Sequence, residues 1–479
     1  MSLGKDLKIV PSVIKLLRRL LIQEEYDEVY KSLRRTQYHL DPWAELAEFE
    51  RLLWSIPRKR QLIFSLFFLG KKIPYFKAVH FLDKDLIKGL LEVNVLRLED
   101  EELVSNGFSI VPYQNLFFLV DLVYLLPNAV RRAPEAYIGL DSYICSNYHF
   151  NPSSNDKILD LCCGPGFQMI SALKGAQSCL GVEINPFAKT VCQFNIILNE
   201  MTERAEVRCG SLYGPVKDER FSIIYANPPF IPIPKGIDYP IPGHGGEDGT
   251  DILKKIYEEM DHHLLNESRS VVYCEALGDK NGIFFLSWLQ EIAKKNKWRA
   301  EVFVLGRVYY LEQIRRMVNL LLSTYDNLHK EKLIKVWLKY YEEVVPKARY
   351  LYSLVIKTYK IPHGSFDFTV NNFFNPIDPN DTFVSNKEII VRESKSNYDV
   401  LKNEQMVAVT SEIGKFLIEK SDGACLFDLA CEYCVETGSI NKRKVKNQEK
   451  VENIGPILDH MSAMAFKLKN LGIISKNSE

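Results

Sequence analysis

Apolar positions change their spacing several times along this chain, and each change marks a different kind of element. Residues 1 to about 75 place Val10, Val13, Leu16, Leu17, Leu20 and Leu21 at three- and four-residue intervals, the period of an amphipathic helix. Asp83 to Leu96 predicts a further, capped helix. The stretch LRLEDEELVSNGFSIVPYQNLFFLVDL then shows short alternating runs broken by Asn106-Gly107, a hairpin signal. Helices followed by a hairpin predict a winged-helix-like module. Such modules contact DNA in some proteins and contact protein or cover substrate in others, and the second use is favoured here.

From about 136 to 360 strands and helices alternate. Strands are predicted at Lys157–Leu161, Ser178–Glu183, Ala205–Gly210, Phe221–Ala226, Ser270–Glu275, Ala300–Leu305 and Tyr350–Lys357. Helices fall at Gln168–Lys174, Pro186–Asn199 and Gly249–Leu265. This rhythm is that of an α/β fold with a largely parallel sheet covered on both faces. Two amphipathic helices between Tyr309 and Glu343 read as an insertion, about 309–345, before the last strand. The segment after 361 is rich in Asn, Pro and Asp and predicts an irregular linker. A small helical or winged-helix-like C-terminal domain follows, with blocks at Ser411–Leu426 and Ile454–Leu471. The expected domains are therefore 1–135, 136–360 and 361–479.

Composition narrows the class. The 479 residues are 46% hydrophobic and 25% charged, with formal net charge zero, so no global field favours nucleic acid or an anionic membrane. Residues 1–77 hold fifteen Lys and Arg against nine Asp and Glu, a mild excess of about +6 that a solvated helical face accounts for as well as a phosphate-binding one. The longest apolar runs, Leu62–Leu69 and Leu116–Leu126 (broken by Asp121), fall short of the roughly 20 residues of a spanning helix, and the N-terminus lacks a secretory pattern. A cytoplasmic protein without a membrane partner is expected. The ten cysteines are scattered, several inside predicted strands, which suits buried free thiols. Cys431 and Cys434 form a single C-x-x-C with no second ligand pair, and no metal site is expected.

Three motifs carry chemistry. In Asp160-Leu161-Cys162-Cys163-Gly164-Pro165-Gly166 a buried strand enters a glycine-containing turn and then a helix, letting backbone approach a ligand. Tight packing alone would explain such a turn. Glu183 closes the next strand about 20 residues on, where a carboxylate can accept from vicinal ribose hydroxyls, and the pair points to a nucleoside cofactor. The fourth strand runs into Asn227-Pro228-Pro229-Phe230. Two prolines stiffen the chain and remove donors, leaving carbonyl groups and the Asn227 amide oxygen as acceptors at the ligand-binding edge of the sheet. Acceptors that hold both hydrogens of an –NH₂ group aim its lone pair, and Phe230 offers a face for a planar group. The glycine-rich stretch around Gly243, Gly245, Gly246 and Gly249, with polar His244, Glu247 and Asp248, reads as a mobile lid. An ordinary loop, with Thr250 or Asp251 capping the next helix, is the alternative.

In this order and spacing, DLCCGPG, GVEINP and NPPF resemble class I S-adenosylmethionine-dependent methyltransferases of the amino-methylating branch. That branch includes release-factor glutamine, ribosomal RNA guanine-N2 and DNA adenine-N6 methyltransferases. Long bacterial proteins with a helical N-terminal domain are more similar still, and share counterparts of the YIGLDSY stretch, Tyr137–Tyr143. The resemblance implies a Rossmann-like seven-stranded sheet and S-adenosyl-L-methionine as cofactor. It implies that Asp160, Cys162, Gly164 and Gly166 hold the methionine end, Glu183 the ribose, and Ile184, Ser211 and Leu212 the adenine. Asn227 and the carbonyl of Pro228 would orient the target nitrogen, flanked by Pro229 and Phe230. Ser211 stands where many relatives have Asp, a weaker acceptor for the adenine amino group. The expected activity is N-methylation of a protein, peptide or small amine. Methylation of RNA or DNA bases, and a non-catalytic binding protein, are the alternatives.

Overall fold

Pro11 opens the first helix, α1 (Pro11–Gln23), at a position where its missing N–H costs nothing. Val13, Ile14, Leu17, Leu20 and Leu21 form its buried stripe. The computed structural model describes residues 6–33, 53–122, 135–237, 243–279 and 281–310, and shorter stretches beyond, among them 327–345, 347–361, 365–372 and 382–385. After α2 (Tyr26–Leu33) come α3 (Arg58–Phe67), β1 (Ile73–Pro74), α4 (Tyr75–Phe81), α5 (Lys84–Glu92), β2 (Leu96–Glu99) and β3 (Glu102–Ser105). Asp83 caps α5, its carboxylate accepting from the amides of Asp85 and Leu86. The three strands form an antiparallel sheet in the order β1–β3–β2.

A separate hairpin follows, β4 (Phe108–Tyr113) with β5 (Leu116–Asp121). Its turn is Gln114-Asn115, and that of β2–β3 is Asp100-Glu101; all four residues have positive φ, as two-residue hairpin turns require. Asn106-Gly107, expected to be a hairpin turn, instead links β3 to β4, strands of different sheets. The reason is that only Gly107 there takes a positive φ, so the pair is a crossing rather than a reversal.

Helix α6 (Leu140–Asn147) leads into the α/β part: β6 (Lys157–Leu161), α7 (Phe167–Ala172), β7 (Ser178–Glu183), α8 (Pro186–Leu198), β8 (Ala205–Cys209), β9 (Phe221–Ala226), α9 (Asp251–His263), β10 (Leu264–Asp279), β11 (Gly282–Ile283), α10 (Leu286–Lys295), β12 (Arg299–Tyr309), α11 (Asn327–Val344) and β13 (Tyr350–Lys360). The strand order is β8–β7–β6–β9–β10–β13–β12, with β6 to β10 parallel and β13 antiparallel to β10. This is the seven-stranded sheet expected from the sequence. The expected irregular linker after 361 contains an eighth strand, β14 (Asp367–Asn372), parallel to β12 at the sheet's edge. It has almost no buried side, so no apolar alternation betrays it.

Consecutive residues of each strand feed opposite faces. Leu159, Leu161, Ile224 and Trp298 enter one core with α9 and α10. Ile158, Ile223 and Val271 enter the other, which runs without a break through α7 and α8 into α1, α3, α5 and the β4–β5 hairpin. The boundary expected at 135 therefore does not separate two cores. One compact unit comprises 1–306 and 313–373; the second comprises 307–312 and 374–479. The C-terminal part was expected to be a small helical or winged-helix-like domain after an irregular linker. Its described residues include helix Glu412–Lys420 but also a meander of Ile389–Glu393, Tyr398–Lys402 and Gln405–Thr410, and a sheet of Thr382–Ser385 with Asp422–Cys425 and Ile474–Lys476. These strands are of three to six residues, too short for the period-two pattern to stand out. Cys431, Cys434 and most of the Ile454–Leu471 block lie outside the described residues.

Phe118, fully buried in β5, packs its ring 5.1 Å from that of Phe167 in α7. Because that core is continuous, Phe118→Ala should cost about 3–5 kcal/mol and accelerate amide exchange in β5 and β6 by the same factor. Acceleration confined to β5 would mean that the N-terminal part unfolds alone.

Candidate active site

The turn after β6 is built from left-handed residues. Cys162, Gly164 and Gly166 have φ of 56°, 51° and 85°. At Gly166 a Cβ would lie 2.7 Å from Sγ of Cys192 in α8, so conformation and packing both require glycine there. Asp160 is fully buried one layer behind. Its Oδ2 accepts from the amide of Met169 at 3.0 Å, while Oδ1 has no partner among the described residues. Burial pushes its carboxyl up to about 8, the Met169 hydrogen bond opposing this and the Glu183 charge adding to it.

Glu183 ties the two nearest strand ends together. One carboxylate oxygen accepts from the amide of Gly164 and the other from that of Asn185, each at 2.8 Å. Burial raises its pKa, against three backbone N–H groups that lower it. Each oxygen keeps a lone pair for a further donor. The Asn185 side chain caps α8 by accepting from Phe187 and donates to Glu135.

Asn227 follows β9 directly. Its Nδ2 donates to Oδ2 of Asp141, in the first turn of α6, at 2.5 Å, with Oγ of Ser142 at 3.5 Å. An ionised carboxylate can only accept, so the amide must turn its nitrogen this way. Oδ1 of Asn227 is left buried and without a partner among the described residues. Burial raises the pKa of Asp141, and the hydrogen bond from Asn227 opposes that rise.

These residues line a cleft of two lobes at the C-terminal edge of the sheet, the usual ligand edge of such folds. One lobe, about 100 Å³, is lined by Cys162, Gly164, Glu183, Ile184 and all of Asn227–Phe230. The other, about 290 Å³ and more apolar, is lined by Ser211, Leu212, Val182, His244 and Ile252. Cys162, Ile184 and Pro229 border both. Of the residues expected to hold a cofactor, Cys162, Gly164, Glu183, Ile184, Ser211, Leu212 and Asn227 meet here. Asp160 and Gly166 are not on the lining; they shape the loop from behind. Sequence reasoning singled out neither Asp141 nor Ser142, nor Tyr137 and Gln168, which also line the first lobe. An acidic residue in a helix's first turn reads as an ordinary dipole partner, so Asp141 had no separate signal beyond its place in YIGLDSY.

Two glycines of the expected lid let the chain pass close against Phe230. A Cβ on Gly245 would sit 2.7 Å from the backbone of Phe230, and one on Gly249 2.5 Å from its carbonyl oxygen. Backbone bonds join Ile231 to Gly243 and Gly245, and Ile233 to Gly246. This stretch is laid against the segment after the motif, while 238–242 lie outside the described residues. Neither Thr250 nor Asp251 caps α9 through its side chain as the alternative supposed; instead Asp248 accepts from the Thr250 amide and pairs with Lys254.

Gly166→Ala should destabilise the fold by about 2–4 kcal/mol, a left-handed Cβ plus overpacking against Cys192, in denaturant titration. The Asp160 carboxyl binds its proton in the folded chain up to about pH 8 but releases it near pH 4 when unfolded. In that window the folded state holds the extra proton, so stability falls as pH rises, by up to about 1.4 kcal/mol per pH unit. Asp160→Asn should flatten this slope between pH 5 and about 8 in pH-dependent melts.

Residues 147–235 match the family model described as methyltransferase small domain. The ribosomal protein uL3 glutamine methyltransferase of Bradyrhizobium diazoefficiens is 28% identical over 169 residues, 31% of this chain and 53% of that protein. The release factor glutamine methyltransferase of Thermodesulfovibrio yellowstonii is 30% identical over 125 residues, 24% of this chain and 44% of that one. The chain thus spans about half the length of these curated relatives. Among solved structures, the YcgJ protein of Bacillus subtilis aligns at 15% identity with a TM-score of 0.32, over 46% of this chain and 98% of that one. The motifs, the strand order and the sequence matches agree in likening the α/β part of this chain to class I S-adenosylmethionine-dependent methyltransferases of the amino-methylating branch.

Proposed function

We propose that the whole chain is a protein N-methyltransferase that modifies a side-chain amide nitrogen, of glutamine in the first instance. The observation that carries this is the Oδ1 of Asn227, buried and without a partner among the described residues, beside the cleft that Glu183 lines. Two relatives similar over 125 to 169 residues are glutamine methyltransferases by name. S-adenosylmethionine, when bound, supplies a methyl group on a positively charged sulfur.

The residues present suit that cofactor. Glu183 keeps lone pairs for two ribose hydroxyls, and Ile184, Leu212, Pro229 and Ile252 offer apolar faces for a base. Ser211 offers a neutral acceptor at the same lobe. Cys162, Gly164 and Pro165 present backbone toward the methionine end, with Asp160 and Gly166 holding that backbone in place.

The acceptor amide meets Asn227 and the carbonyl of Pro228. An amide nitrogen is a poor nucleophile because its lone pair is delocalised into the carbonyl. Two acceptors on its two hydrogens fix its plane and aim the nitrogen, so most of the rate gain is orientational. Asp141 keeps the Asn227 oxygen, rather than its NH₂, available for this. No strong base is required beforehand, since a proton leaves only as the nitrogen becomes positive. Phe230, edge-on to Tyr273 at 5.4 Å, closes the floor of the pocket.

The N-terminal elements from α3 to β3, with their β1–β3–β2 sheet, support the reading as a winged-helix module. Its β2–β3 tip carries Glu99, Asp100, Glu101 and Glu102. Such a tip repels phosphate, which favours a protein acceptor over RNA or DNA. No helix among the described residues is long and apolar enough to cross a membrane, and a cytoplasmic location suits a reaction on newly made protein.

Incubation of cell extract with the chain and isotopically labelled methyl donor, followed by peptide mass spectrometry, should place label on a glutamine side chain. Label only on nucleic acid, or none, would reject the reading. Asn227→Ala should lower kcat by about 100- to 1,000-fold with cofactor affinity largely kept. Asn227→Asp keeps an acceptor oxygen but sets a second carboxylate against Asp141, and should be as inactive. Full activity in either variant would remove Asn227 from the mechanism.

A further inference from the structure

A polar residue sits where a helix should be packing hydrocarbon. Asn195 lies in the middle of α8, fully buried, on the face that meets the β4–β5 hairpin. Its Oδ1 accepts from the amide of Leu119 at 2.7 Å. Its Nδ2 donates to the carbonyl of Leu119 at 3.0 Å and to that of Pro165 at 2.9 Å. Both amide hydrogens are thereby used. One goes to the N-terminal hairpin and the other to the glycine turn of the cofactor site.

Asn199, one helical turn later, supplies an internal comparison. Its Oδ1 accepts from the amide of Phe117 at 2.9 Å, and its Nδ2 donates to the Phe117 carbonyl at 2.7 Å and to the Asn195 carbonyl at 2.9 Å. Phe117 and Leu119 are two apart in β5, so their backbone groups point the same way. The two amides thus serve β5 as a neighbouring strand would. Asn199 stops at the hairpin; Asn195 continues to the loop.

Pro165 lines the cleft between two left-handed glycines and has no N–H of its own, so its carbonyl is the only hydrogen-bonding group by which its backbone can be held. We infer that Asn195 is a positioning residue for the cofactor turn, and that through it the N-terminal hairpin and cofactor binding are energetically coupled. The inference rests on the reading of the cleft as a cofactor site. It gives the N-terminal part a role inside the catalytic unit: whatever docks on that part shifts cofactor affinity through the hairpin, and the cofactor shifts the docking by the same factor. The rings support the same route, since Phe118 of β5 packs on Phe167, which itself lines the cleft.

Calorimetry of the full chain with S-adenosylhomocysteine tests this. Asn195→Ala should weaken binding about tenfold or more, the effect of a lost buried hydrogen bond on the turn. Asn199→Ala, which loses as many hairpin bonds, should lower the melting temperature comparably yet bind within about twofold of wild type. Equal weakening by the two variants, or none by Asn195→Ala, overturns the assignment. The wild-type chain gives a second reading that needs no variant. Adding S-adenosylhomocysteine should slow amide exchange at Leu119 more than at Phe117, and equal or absent slowing contradicts the coupling. A wild-type chain that binds no S-adenosylhomocysteine would remove the cofactor reading itself, and this inference with it.

Discussion

A single hydrogen bond, from Nδ2 of Asn227 to the carboxylate of Asp141, fixes which way the Asn227 amide is turned, and the proposed reaction depends on that. An amide side chain has a donating and an accepting end, and a free one presents either. A carboxylate on one side removes that freedom. The remaining oxygen is buried without a partner among the described residues, a state that costs free energy until something donates to it. Much of the surrounding structure serves that arrangement. The prolines after Asn227 stiffen the exit from β9, α6 delivers Asp141, and Gly245 and Gly249 let the following loop lie directly on Phe230.

The cofactor side follows the same economy of fixed polar groups. Glu183 joins the turn after β6 to the start of α8 and lines the cleft. Asp160 does not touch the cleft and holds the start of α7 from beneath. Behind the turn, Asn195 ties Pro165 to a hairpin more than forty residues earlier in the chain. The N-terminal part is thus joined to the α/β part by hydrogen bonds as well as by one uninterrupted apolar core.

The α/β half was legible because its strands are buried on both faces and end at turns with glycine or proline. Lys157–Leu161, Ser178–Glu183 and Phe221–Ala226 have the expected bounds, and the cleft gathers the motif residues except Asp160 and Gly166, which stand behind it. What escaped reading has physical causes. Asp141 looks like any acid in a first helical turn; its role appears only once folding brings it to Asn227, 86 positions on. Asn195 in an apolar helix looks like a fault in the pattern. Strand β14 is exposed and polar, so it left no alternation to read. The apolar core shared across position 135 was not legible because periodicity reports which face of an element is buried, never against what. Asn106-Gly107 failed for a local reason, since Gln114-Asn115 took the strained turn without a glycine.

A crystal structure of the chain with S-adenosylhomocysteine would test the central claim most directly. It should show the ribose on Glu183 and the sulfur facing Oδ1 of Asn227, with Asp141 still accepting from the amide nitrogen. An adenosyl group bound elsewhere, or an Asn227 turned away from the sulfur, would contradict it.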